Sequence, residues 1–516
     1  MKKTAFHPLR KLAIAGNPNR PLLGAKVYTP PLTAYLEEHG ISPAAFQALT
    51  KKLNGQVVTP FDPPYASGRM DSDNAFNRYP LMIVYCTGSA DVVEAVKFCN
   101  EQNLVVCMRA GGHSTEGYSV LDGRVLIDVS NIKGIFVDEA GMTSTVGAGV
   151  TWGEYNQELN AYGLHNPGGS CNSVGMAGYT MGGGYGYTSM RWGIACDSLI
   201  EVRMVTAAGE IVTANAKHNR ELLWAHQGGT GGNFGIVVGM KYQLQKLKDV
   251  WPIQVNWPID DAAKVLKTWQ DKMTKTLQDL DLGLLGFLAI EEVPGKATGG
   301  ESCTINRPYF CIRGIYSGAS KEAAQAAMQP LLDIGTPSFP AGPLWQRQIP
   351  YAAANEHLLD NVEGIIPDTI KETKRCAYIE RALSEQEFQK MVDYFKTSPN
   401  PYNIVSMEPY GGAINKVAPH ETAFVHRNAY FDIFTDSFWM QDSEKAEAFR
   451  WLKDYYESPD MKGLWSNRYY QNYVNAEYKD WQQGYFGENY ENLQKVKSHW
   501  DPDNRFRYPQ SIEPAK

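Results

Sequence analysis

The stretch GGSCNSVGMAGYTMGGGYG, residues 168–186, decides how this chain is read. Glycines with small residues between them leave a surface on which a flat, planar group can lie directly against main chain. Cys171 sits in the middle of it, although cysteine by type alone is most often a buried, inert thiol. Two further loops share the habit. RAGGHS at 109–114 ends the apolar run LVVCMRA, and successive backbone N–H groups there can cradle a diphosphate. It is not the GxGxxG dinucleotide fingerprint, which opens a helix and has an acid about 20 residues on. Read alone, RAGGHS is equally an ordinary turn and His113 a hydrogen-bonded loop residue. GGTGGNFG at 228–235 runs into an alternating strand. Three glycine loops at strand ends are hard to explain as three independent turns. One extended dinucleotide lying across them explains all three.

Outward from these loops the pattern is strand and helix. Of 47 glycines, 26 fall between Gly111 and Gly239, interleaved with periodic apolar runs that argue against disorder. LMIVYC (81–86) and VLIDVS (125–130) predict buried strands, and Ser89 is the expected cap of the helix ADVVEAVKFCNEQN, where Val92, Val96 and Cys99 share a face. TWGEYNQELNAYG predicts an amphipathic helix with Trp152, Tyr155, Leu159 and Tyr162 on one stripe. VRMVTAAGEIVTA predicts a hairpin turning at AAGE, and GIVVGMKYQL a strand with Ile236, Val238, Met240, Tyr242 and Leu244 on one side. An α+β unit therefore closes near Lys248. Before it, residues 1–60 are Pro-punctuated and then helical, with Ser42 as N-cap. Residues 250–415 predict a second mixed unit with helices at 260–278, 319–333 and 384–397, and strands in LGLLGFLAI and RPYFCIRGIYS. Beyond HRNAYFDIFTDSFW lie a helix, EKAEAFRWLKDYYES, and an aromatic tail.

The 516 residues are 43% hydrophobic and 20% charged, ample for a large core. A net charge of -7 without a basic block argues against nucleic acid or an anionic membrane as partner. No apolar run approaches the roughly 20 residues that span a bilayer, and MKKTAFHPLRKLAIAG lacks a full signal-peptide core. A cytoplasmic location is expected. The eight cysteines show no CxxC or Cys/His spacing, so no zinc or other metal site is expected.

RAGGHS, the GxCxxVGxxGxxxGGGxG run, RWGIACDSL (191–199), LLWAHQGGTGGNFGIV (222–237) and the tail YQNY…YFGENYENLQKVKSHWDPDNRFRYPQSI together resemble flavin oxidases related to berberine bridge enzyme, in the vanillyl-alcohol oxidase superfamily. The resemblance spans roughly 75–248 and 420–516 and is loose between them. It implies an α+β fold with a two-part FAD-binding domain over 1–248 (core about 75–248). A substrate-binding domain over 249–460 would hold an antiparallel sheet covered by helices, and 461–516 would return to the FAD-binding domain. In that family the first-loop histidine bonds the methyl on the flavin's benzenoid ring, and the second-loop cysteine bonds the neighbouring ring carbon. His113 and Cys171 hold those positions, so the resemblance implies FAD tethered twice. Two links withdraw electron density, raise oxidising power, and hold the cofactor in an open site. Further cofactor contacts are implied at Arg109, Ala110, Gly111, Gly112, Ser114, Gly175, Gly178, Gly182, Gly183, Gly184, Tyr185, Gly186, Val237, Tyr470 and Asn472. Val174 matches the position where dioxygen approaches, and a small valine there goes with oxidases. One departure is Ala177-Gly178-Tyr179 where relatives commonly carry GGH.

Removing hydride from a carbon bearing a hydroxyl requires that hydroxyl to lose its proton at about the same time. A tyrosine, with a solution pKa of about 10, needs help to serve as that base. By the resemblance, Tyr473 of YQNY is the substrate-side tyrosine and Asp432 the strand acid that assists it; Asp436, on the same strand face, is the alternative. Arg427 is expected to anchor structure, and Asp197 to cap nearby amides. The implied activity is oxidation of an alcohol or sugar hemiacetal of a small-molecule substrate, with dioxygen reduced to hydrogen peroxide. Oxidative cyclisation or dehydrogenation of an aromatic or polyketide metabolite is a second reading, and a flavin-binding protein without turnover a third.

Overall fold

Continuous apolar runs form strands buried on both faces, and those of the first unit do so. In the computed structural model, which describes residues 29–275, 280–296, 302–339, 347–363 and 370–516, Met82–Tyr85, Val125–Asp128 and Val106–Arg109 lie parallel in that spatial order. Gln56–Val58 adds antiparallel at one edge. Helix Ser89–Glu101 joins the first strand to the last, but its cap is Gly88 rather than Ser89. Asp91 in the first turn instead accepts from the Thr87 amide and hydroxyl and from the amides of Asn54 and Gly55, tying the entry segment to the helix start without capping the helix's own amides. The opening residues, on which the signal-peptide reading rests, lie outside those described.

A second sheet is antiparallel, in the order Ile135–Asp138, Thr143–Gly147, Ile236–Gln243, Leu199–Val205 and Ile211–Asn215. The hairpin pairs Val205 with Ile211, as the AAGE turn predicts. Both sheets share one core with helix Trp152–Ala161, which Thr151 and Glu154 start with a reciprocal capping box.

The remaining sheet has seven antiparallel strands: Ile349–Pro350, Asp249–Pro258, Ser302–Tyr316, Leu282–Lys296, Ile404–Pro409, Phe431–Trp439 and Lys371–Ile379, in that order. Period-two alternation gives each strand two different faces. Val405, Met407, Ile433 and Ile379 pack under helices Ala262–Gln270, Lys321–Leu332, Glu385–Phe395 and Lys445–Glu457. The other face turns Tyr378, Tyr410 and Phe434 toward Tyr185, Phe424 and Tyr470, an aromatic layer between the sheet and the glycine run. The fold is thus α+β in two parts.

The C-terminal residues pack into the first core through Tyr485, Phe486, Leu493, Val496, Phe506 and Ile512. Lys497, fully buried, pairs with Asp501 at 2.6 Å and donates to the carbonyls of Asn233 and Phe506, each at 2.7 Å. That one ammonium ties the third glycine loop to the tail. Removing one partner of a buried pair strands the other charge, so Lys497→Met is expected to cost about 3–5 kcal/mol. Lys497→Met with Asp501→Leu should recover much of that loss in urea unfolding; equal losses for the single and double variants would contradict the tie.

Candidate active site

Strand Val106–Arg109 delivers the chain straight into the first glycine loop. The Arg109 guanidinium is spent on structure, pairing with Asp128 at 2.6 Å and donating to the Met70 and Gly68 carbonyls. Gly112 turns the loop at φ +71°, where a Cβ would fall 2.9 Å from Asp71 Oδ1. The turn carries His113 against the second loop, where its ring hydrogen-bonds the Ser173 backbone. Cys171 Sγ lies 3.4 Å from Oγ of the same serine. The two main chains touch: a Cβ on Gly111 would lie 2.4 Å from Gly175 N, and one on Gly175 2.7 Å from Gly111 N. From the second unit, the buried Asn355 donates to Ser170 O at 2.5 Å and braces the cysteine's loop.

Ala110, Gly111, Gly112, His113 and Ser114, then Val174, Gly175 and Gly178, then residues 230–232 and 235–237, and finally Asn472, Val474 and Tyr508 line one cleft. Gly178 is exposed, and a Cβ on it would meet nothing within 4 Å, so this wall is bare backbone. Burial pushes the His113 imidazole down to about 4, which keeps it neutral near pH 7. Its Nε2 is buried with no hydrogen-bond partner among the described residues, a cost of about 1–3 kcal/mol that a bound group would relieve. A long cleft with a backbone wall and an orphaned imidazole nitrogen fits a flavin dinucleotide.

Some expected contacts fall elsewhere. Gly182, Gly183, Gly184, Tyr185, Gly186 and Tyr470 back the cleft rather than line it. Their glycines admit neighbouring protein: a Cβ on Gly182 would fall 2.0 Å from Asn472 Oδ1, on Gly183 2.8 Å from Phe424, and on Gly186 1.8 Å from Gly168 O. The Gly184 N–H donates to the Tyr470 hydroxyl at 2.7 Å, and Asn472 Nδ2 donates to that hydroxyl at 2.8 Å and to Tyr179 O at 2.9 Å. The Tyr179 hydroxyl donates to Tyr185 O at 2.7 Å. Cys171 does not line the cleft either; it is half-buried beside Ser173, the residue that His113 touches. Arg427 grips Asp197 through two nitrogens at 3.0 and 2.6 Å, and Asp197 accepts from the Ile194 amide.

The tyrosine and acids lie on the sheet face that meets the glycine run. The Tyr473 hydroxyl donates not to Asp432 but to Glu408 Oε1, at 3.4 Å. Glu408 is on the adjacent strand, directly opposite Asp432. Both carboxyls are buried, and apart from the Ile433 backbone neither Asp432 oxygen has a hydrogen-bond partner among the described residues. Burial raises both well above the ordinary carboxylate range, and Glu408 raises Asp432 further by charge repulsion. Asp436 is committed to Lys374, 2.7 Å away. The Lys374 ammonium also stands 4.9 Å over the Tyr473 ring. Sequence reading missed Glu408 and Lys374; the one available signal was Glu408, the only charged residue of its strand IVSMEP, whereas Lys374 lies in the polar run KETKR.

Comparison with known proteins agrees with this geometry. Residues 80–215 match the FAD binding domain family, and residues 469–513 match the berberine and berberine-like family. The chain is 31% identical over 469 residues to the uncharacterized FAD-linked oxidoreductase YgaK of Bacillus subtilis, covering 90% of this chain and 98% of that one. It is 27% identical to monolignol oxidoreductase AtBBE-like 13 of Arabidopsis thaliana, covering 81% of each chain. Among solved structures, BBE-like 1 of Physcomitrella patens superposes with a TM-score of 0.77 at 25% identity, over 92% of this chain and 99% of that one. A cleft built for a flavin dinucleotide, on this fold and with these relatives, makes the chain a member of the berberine bridge enzyme-like FAD-linked oxidoreductases.

Proposed function

We propose that this oxidoreductase is an oxidase that takes hydride from the carbon of an alcohol or sugar hemiacetal and passes the electrons to dioxygen, giving hydrogen peroxide. The observation that carries the reading is the meeting of a tyrosine hydroxyl with one buried carboxyl, itself in cross-strand register with a second, on the sheet face opposite the glycine run. That arrangement can hold a substrate hydroxyl and remove its proton, which oxidation of a C–OH centre demands. Bound FAD supplies the hydride acceptor and the route to oxygen. His113 and Cys171 would both hold the flavin covalently, a reading supported by the unpartnered imidazole nitrogen and by the serine that both side chains reach. Val174 lines the cleft next to Gly175, and its short side chain suits access by a small gas. That AtBBE-like 13 is named for monolignols adds weight to an alcohol substrate.

No helix among the described residues is long and apolar enough to cross a membrane, and seven of the eight cysteines are free thiols. Both features support a cytoplasmic setting.

With the best substrate from a panel of monosaccharides, oligosaccharides and benzylic alcohols, Tyr473→Phe is expected to slow anaerobic flavin reduction by about 10²–10⁴, the range for losing an acid–base group. Full rate in that variant, or no peroxide with any alcohol, would overturn the assignment. Val174→Leu should leave flavin reduction unchanged and slow reoxidation by oxygen about tenfold or more, a barrier of roughly 1.4 kcal/mol. Unchanged reoxidation would remove Val174 from the oxygen path.

A further inference from the structure

Four arginines are buried among the described residues: Arg109, Arg313, Arg375 and Arg427. Arg109 pairs with Asp128, Arg375 with Glu457 and Arg427 with Asp197. Arg313 pairs with no carboxylate of the described residues. Its Nη1 donates to the Leu358 carbonyl at 2.9 Å, while Nε and Nη2 are buried without a hydrogen-bond acceptor placed to satisfy them. The side chains that reach this guanidinium, the Tyr309 hydroxyl and the Cys311 thiol, are held neutral by burial. A guanidinium does not give up its proton, and a buried charge is costly until something supplies its opposite. Nε and Nη2 form one edge of the planar group, the edge that grips both oxygens of a carboxylate in two parallel bonds.

The arginine stands on the sheet face that carries the acids. From Ser302–Tyr316 it faces Leu285; Gly286 faces Met407, which sets Glu408 next beyond Leu285, and Glu408 faces Asp432. Strands about 4.8 Å apart place the Arg313 backbone roughly 10 Å from that of Glu408, along one cross-strand row. The neighbouring row on the same face is Phe287, Ser406 and Phe434. The Arg313 guanidinium lies 5.4 Å from the centre of the Phe287 ring, and the Phe434 and Tyr473 rings pack with centres 4.4 Å apart. Phe287, Phe434 and Tyr473 are each only half-buried. An aromatic floor that the protein does not fully cover thus runs from the guanidinium to the phenol. Helix Tyr351–Glu363, which accepts from Arg313 at Leu358, also reaches the cysteine's loop through Asn355.

Resting on the alcohol-oxidase reading, we propose that Arg313 sets the substrate class: a hydroxy acid whose carboxylate takes the Nε–Nη2 edge, whose apolar or aromatic spacer lies over Phe287 and Phe434, and whose hydroxyl meets Tyr473. One guanidinium matches one negative charge, so a carboxylate suits it better than a phosphate dianion. The other cation of this face, Lys374, is already paired with Asp436. Arg313 thereby acts in binding and takes no proton or electron in the reaction.

The test compares wild-type holoenzyme with Arg313→Gln and Arg313→Lys, using two matched pairs of probes. Hydrocinnamate and hydrocinnamamide carry no alcohol, and their binding is read from the flavin absorbance and from Tm without turnover. Their para-hydroxymethyl derivatives serve as substrates. Wild type should bind the acid about 10–100-fold more tightly than the amide, the range for hydrogen bonds to a charged group. Arg313→Gln should lose that preference, and Arg313→Lys should keep part of it, because the charge remains and the fork does not. With the substrate pair, Arg313→Gln should raise KM for the acid, leave kcat nearly unchanged and leave the amide unaffected. Equal binding of acid and amide by wild type would overturn the proposal, as would equal losses for both in Arg313→Gln, the mark of a structural arginine. Should Arg313→Gln fail to fold, Arg313→Lys decides: a preference cut severalfold upholds the site, and an unchanged one ends it. If neither alcohol reduces the flavin while the acid still binds through Arg313, the carboxylate site stands and the alcohol-oxidase reading falls.

Discussion

The site depends on one steric constraint, the contact between the backbones of Gly111 and Gly175. Each occupies the space that the other's Cβ would need, at 2.4 and 2.7 Å. No side chain can enter that junction without parting the loops, and real Cβ contacts that short do not occur in close-packed proteins. Because the loops touch there, His113 and the neighbourhood of Cys171 converge on Ser173. The first loop is anchored behind by the buried Arg109–Asp128 pair, the second by Asn355 from the other unit, and the third by Lys497. Three different elements of the fold thus hold three short glycine loops around one cleft.

The two units divide the chemistry. The glycine-rich unit presents backbone and one neutral imidazole, suited to a large planar group. The seven-stranded sheet presents the acids, on the face its helices do not cover. The aromatic layer of Tyr185, Tyr378, Tyr410, Phe424 and Tyr470 packs between the two, and Glu408 and Asp432 are buried. In such a medium a carboxyl is reluctant to ionise, and both Glu408 and Asp432 are held well above the ordinary carboxylate range. Placing Tyr473 between acid and glycine run lets a single phenol couple the two faces.

Much of the fold was legible because its signals are local. The strand at 236–243 alternates, the AAGE turn makes a hairpin, and Ser42 caps its helix. Ser89 misled because a serine before an apolar run is the usual N-cap, while here Asp91 satisfies the preceding amides. The glycine loops and His113 could be named from sequence, since glycine density is a local property. Which glycines bare a wall and which merely admit a neighbour could not. Gly178 and Gly182 look alike in the chain, yet one opens to the cleft and the other receives Asn472. Glu408 was invisible for a related reason: its partner Tyr473 lies far along the chain, and only strand register sets it opposite Asp432.

The most direct measurement is mass spectrometry of a proteolytic digest of the purified holoenzyme, prepared under denaturing conditions. If the two loops grip one flavin, the peptide containing His113 and the peptide containing Cys171 will run as a single species whose mass is their sum plus one FAD. Two unmodified peptides, with all of the FAD released into solution, would contradict it.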